Sequence, residues 1–130
     1  DHVSIAVPDL EAAADFYRDN FGCTVGDVIE VPADNMRIAY VELANIKIEL
    51  MQPLDAGSAV GKFLARNPSG GIHHICVATP DADGAAVAAG AAGLRILGEG
   101  GTRPGHHGRK LFFLHPKDCM GTLIEVEETD

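Results

Sequence analysis

The chain has 130 residues, 46% of them hydrophobic and 22% charged, which suits one globular domain with a buried core and excludes a disordered polypeptide. A formal net charge of −9 argues against nucleic acid or an anionic membrane surface as the main partner. No apolar run approaches the roughly 20 residues of a membrane-spanning helix.

Three widely spaced cysteines, Cys23, Cys76 and Cys119, fit free thiols in a reducing compartment. No secretory leader is read, although the chain starts at Asp1 rather than Met. The expected location is the cytoplasm, or the mitochondrial matrix if a targeting segment has been removed.

Residues 3–7 read as a strand, and Pro8-Asp9 opens a helix with Asp9 as its N-cap. Leu10, Ala13, Ala14, Tyr17 and Phe21 fall at helical spacing and predict its buried stripe. Residues 24–30, 36–42 and 45–51 are β-rich, with Pro32–Asn35 separating the first two and a tight turn at Ala44-Asn45. A short linking helix is expected over 58–66 with Ser58 as its cap. Asn67-Pro-Ser-Gly-Gly71 then breaks the chain. The same order follows again: strand 72–78, an Ala- and Gly-rich helix over 82–92, and strands near 94–98, 109–114 and 122–127. Residues 99–108 read as a Gly-rich loop.

The halves also match residue by residue. His2-Val-Ser-Ile-Ala-Val-Pro-Asp9 aligns with His74-Ile-Cys-Val-Ala-Thr-Pro-Asp81 at an offset of 72. The expected architecture is α+β: two tandem βαβββ modules, about 1–56 and 68–130, joined by a linking helix at about 57–67. They would curl into one domain, an incompletely closed eight-stranded barrel-like sheet around a metal site.

Each half opens with a strand His and closes with a strand Glu. Glu49 lies 47 residues after His2, and Glu125 lies 51 after His74. A carboxylate between β-branched residues and leucine is costly to bury unless paired, hydrogen-bonded or metal-bound. His2, Glu49, His74 and Glu125 are therefore candidate ligands of one divalent ion. Two imidazoles and two carboxylates without thiolate suit Co²⁺, Mn²⁺, Ni²⁺, Fe²⁺ or Zn²⁺. His73 must point away from His74, and the repeat selects His74. Arg103, Arg109, Lys110 and Lys117, with His106, His107 and His115, crowd one segment. They form either a solvated face or an anion contact.

These residues resemble the vicinal oxygen chelate superfamily, which includes glyoxalase I, extradiol dioxygenases, fosfomycin and bleomycin resistance proteins and methylmalonyl-CoA epimerases. The epimerases are the most similar, through Asp1–Asp9, Ile48-Glu-Leu-Met-Gln-Pro-Leu54, Gly70-Gly-Ile-His-His-Ile-Cys76, Pro104-Gly-His-His-Gly108 and Phe113-Leu-His-Pro-Lys-Asp-Cys119 running on to Gly121-Thr-Leu-Ile-Glu125. The resemblance implies one metal, Co²⁺ foremost, on His2, Glu49, His74 and Glu125. It implies an acyl-CoA substrate and a homodimer, and epimerisation of methylmalonyl-CoA through a metal-stabilised enolate.

Glu125 is the first candidate for the proton-transferring base, with Glu49, Glu42 or a metal-bound water for the opposite face. Several epimerases carry a further Glu where this chain has Ile38. Lys117, Arg103 and His107 are candidate contacts to coenzyme A phosphates, with Lys62 and Arg66 behind them. The alternatives are a lactoylglutathione lyase of the glyoxalase I type and a metal-free small-molecule binder of the same fold. A dioxygenase would need only one carboxylate ligand.

Overall fold

The computed structural model describes residues 1–129. Its contacts divide into two compact units, one from His2 to His73 and one from His74 onward together with Asp1.

In the first unit, β1 (His2–Ala6) lies parallel to β5 (Lys47–Pro53), and β5 lies antiparallel to β4 (Met36–Glu42). Two short strands, β2 (Thr24–Val25) and β3 (Ile29–Val31), pair antiparallel with β4. The stretch expected as one strand over 24–30 is thus broken. Gly26 leaves the ladder's regular course, although its N–H still donates to the Tyr40 carbonyl at 2.9 Å. The residues after β3 form a 3-10 turn at Pro32–Asp34.

Helix α1 (Leu10–Phe21) starts at Asp9, whose carboxylate accepts the Ala12 N–H at 3.0 Å. Leu10 and Ala14 are buried, and Ala13 and Tyr17 pack beside Val7, Ala39, Val41 and Leu50. Phe21 departs from the expected stripe: it is 65% exposed, because it sits in the last helical residue and meets Phe16 and Tyr17 rather than the sheet. Helix α2 (Ala59–Arg66) is capped by Ser58 as expected. Its Val60, with Phe63 and Leu64, joins a second cluster containing Ala6, Val31, Met36, Ile38 and Met51.

The second unit repeats the plan. Strand β6 (Gly71–Thr79), within this unit from His74 on, lies parallel to β9 (Ile124–Glu128). Strand β8 (Lys110–Leu114) is antiparallel to β9, and β7 (Arg103–Pro104) is antiparallel to β8. Helix α3 (Ala82–Ala91) starts at Asp81, which caps the Gly84 N–H at 2.9 Å. Its alanines let it sit close on Phe112, Leu114 and Val126.

The strand expected over 94–98 is reduced to a single bridge between Ile96 and Leu114. Gly93 and Gly98, both at φ near +80°, turn the chain at either end before a ladder can extend. In exchange β7 forms inside the segment expected to be loop. The class is α+β, with three helices and nine strands among the described residues. No described helix is long and apolar enough to cross a membrane.

Candidate active site

Strand register decides which side chains meet. In the first unit Ser4 stands opposite Glu49 across the parallel β1–β5 ladder, and Tyr40 stands opposite Glu49 across the antiparallel β4–β5 ladder. Residues two apart on a strand share a face, so His2, Ser4, Tyr40 and Glu49 project to the same side. His2 and Glu49 are 4% and 6% exposed. The Ser4 hydroxyl donates to Glu49 Oε1 at 2.7 Å and the Tyr40 hydroxyl to Oε2 at 3.0 Å. His2 Nε2 lies 3.9 Å from Oε1, beyond hydrogen-bond length. The Tyr40 ring meets His2 edge-on, and Lys47 Nζ sits 5.8 Å from its centroid.

The second unit builds a counterpart. Cys76 stands opposite Glu125 across β6–β9, and Phe113 opposite Glu125 across β8–β9. His74 Nε2 is 2.9 Å from Glu125 Oε2, with both residues buried. Phe113 meets His74 edge-on, and Arg103 lies 5.9 Å over its ring. Each His–Glu pair thus has an aromatic wall with a cation outside it.

Each pair offers donors of the kind that ligate a divalent ion. Two ligands at about 2.0–2.2 Å from one ion stand roughly 3–4 Å apart, and the two pairs are 3.9 and 2.9 Å apart. Buried carboxylates beside imidazoles satisfy a borderline divalent ion better than they satisfy an apolar core.

A third buried carboxylate was not anticipated. Glu127, 2% exposed, stands two residues beyond Glu125. Its Oε1 lies 2.7 Å from Arg109 Nη2 and 3.2 Å from His107 Nε2. His107 Nδ1 accepts the Arg109 N–H at 3.0 Å, so the proton of the neutral ring sits on Nε2, facing Glu127. Burial lowers the His107 pKa against the pull of Glu127. His107 thus stands between the Arg109 N–H and Glu127. The Cys76 thiol is pushed far up, first by burial and then by Glu125 and Glu127, so it packs rather than reacts.

Of the other basic candidates, Lys117 is exposed on the 3-10 turn Pro116–Asp118, and Arg103 is exposed on β7. Lys62 and Arg66 are exposed on α2. Ile38 is fully buried in the first unit's core and Glu42 is exposed opposite Lys47. Neither supplies a buried second carboxylate. Ser4 and Tyr40 had one signal in the sequence, their even spacing from His2 and Ile38; that they meet Glu49 depends on a register the sequence does not print.

Residues 1–113 match the model of the Glyoxalase/Bleomycin resistance protein/Dioxygenase superfamily. The ethylmalonyl-CoA/methylmalonyl-CoA epimerase of Cereibacter sphaeroides is 47% identical over 98% of this chain and 95% of its own. The chain belongs to this superfamily, and within it to the methylmalonyl-CoA epimerases. The crystal structure of methylmalonyl-CoA epimerase from Mycobacterium tuberculosis superposes with a TM-score of 0.90 at 32% identity, over 100% of this chain and 87% of that one. A methylmalonyl-CoA epimerase in complex with methylmalonyl-CoA and NH4+ superposes with a TM-score of 0.89 at 36% identity, over 99% of this chain and 92% of that one.

Proposed function

We propose that this protein interconverts the epimers of methylmalonyl-CoA by removing the α-proton and returning one. The observation that carries the reading is the pair of buried His–Glu sites at matching strand positions, in a chain 47% identical to an epimerase.

One divalent ion, Co²⁺ foremost, would draw its ligands from His2, Glu49, His74 and Glu125. When bound, it would act as a Lewis acid toward the substrate's thioester and carboxylate oxygens. The α-carbon between those two groups is already acidic for a carbon. Glu125 takes the proton. Its surroundings suit a general base, because Glu125 is only 6% exposed and His74 at 2.9 Å orients it. Inversion requires a proton delivered to the opposite face, and Glu49, Glu42 or solvent would supply it. Arg103 and Lys117, both exposed cations, would meet the phosphates of coenzyme A.

The test offers the metal-loaded protein two substrates, a single methylmalonyl-CoA epimer and the hemithioacetal of methylglyoxal and glutathione. The expected result is loss of chirality in the first and no turnover of the second. Turnover of the hemithioacetal alone would reassign the protein as a glyoxalase.

A further inference from the structure

The two glutamates occupy equivalent places but have different surroundings. Opposite Glu49 stand Ser4 and Tyr40, and opposite Glu125 stand Cys76 and Phe113. At both positions the first unit carries a hydroxyl where the second carries none. Each hydroxyl is used: Ser4 Oγ is 2.7 Å from Oε1 and Tyr40 Oη is 3.0 Å from Oε2. An ionised carboxylate only accepts, so both hydroxyls donate, and the two bonds fix the carboxylate's plane as well as its position. Ser4 is 0% exposed, so water does not compete for its hydroxyl. Hydrogen bonds to an anion are stronger than those between neutral groups. Each oxygen of Glu49 still keeps a lone pair for another partner.

We propose that Ser4 and Tyr40 are positioning residues that lock Glu49 as a metal ligand. The inference rests on the metal reading given above. Ligands held by outer partners bind metal more tightly, and removing such a partner lowers affinity by roughly 10–100-fold.

The experiment is equilibrium Co²⁺ binding to chelator-stripped protein, followed by visible absorption of the Co²⁺ form, for the unmodified chain, Tyr40→Phe and Ser4→Ala. Tyr40→Phe removes one oxygen and keeps the ring that meets His2. Far-ultraviolet circular dichroism and the melting temperature of the metal-free form identify any variant that has lost its fold, and the other variant then decides. About tenfold weaker Co²⁺ binding with an altered absorption band supports the proposal, since a merely structural role would move neither. Unchanged affinity and spectrum in a folded variant overturn it while leaving the metal reading intact. If the unmodified chain binds no Co²⁺, both fall together.

Discussion

Glu125 is where a single atom separates two roles. Glu125→Gln keeps the side chain's shape and one coordinating oxygen but removes the basic carboxylate. Epimerisation is expected to fall by roughly 10²–10⁴-fold, the usual worth of a positioned general base, while the protein keeps most of its Co²⁺. A near-normal rate in the metal-loaded variant, measured by loss of optical activity, would remove Glu125 from the proton path. At this scale the sequence was legible where chemistry is repeated. His2, Glu49, His74 and Glu125 stand out because a charged or imidazole residue interrupts each apolar strand twice in register. Ser4 and Tyr40 were legible only as evenly spaced strand positions, because serine and tyrosine are ordinary strand residues and cross-strand register alone brings them to Glu49. Glu127 was illegible for a related reason. Near the chain's end it reads as solvated charge, and its burial depends on Arg109 and His107 folding back from a loop.

Helix α3 shows how an element can break a propensity rule for a local reason. It contains Gly84 and Gly90, each of which should cost about 0.8–1.0 kcal/mol relative to alanine. At Gly90 an added Cβ would meet nothing within 4 Å, so Gly90→Ala is expected to stabilise the protein by about that amount. At Gly84 the added Cβ would lie 2.3 Å from Asp81 Oδ2 and 2.9 Å from its Cγ. The capping carboxylate would have to move, and losing a cap costs about 0.5–2 kcal/mol. Gly84→Ala is therefore expected to be neutral or destabilising. Urea unfolding of the two variants checks the contrast, and equal gains at both positions would refute it. The caps themselves were readable, since Asp9, Ser58 and Asp81 all sit where sequence placed them or their equivalents. The strand at 94–98 was not, because two left-handed glycines override an apolar run. The break at Gly26 is of the same kind.

Across the molecule, duplication accounts for most of what the sequence discloses. The offset of 72 predicts two units with the same order of strand, helix and strands, and the register reproduces it: β1 parallel to β5, and β6 parallel to β9. The duplication also explains what changed. One copy places hydroxyls on its glutamate, and the other sets Cys76 and Phe113 opposite it in the ladder. Identical halves would give two equivalent carboxylates, and these halves do not. Ile38, packed among Ala6, Val31 and Met51, closes the place where several relatives were expected to carry a further acid.

The most direct measurement is hydrogen exchange at the α-carbon of methylmalonyl-CoA in D₂O, followed by mass for the protein as isolated, after chelation, and after Co²⁺ is returned. The expected result is deuterium entering the substrate at the rate chirality is lost, both stopping on chelation and both recovering with Co²⁺. Exchange that continues undiminished in chelated protein, or that never occurs in the loaded one, would contradict a metal-dependent proton transfer at the paired His–Glu sites.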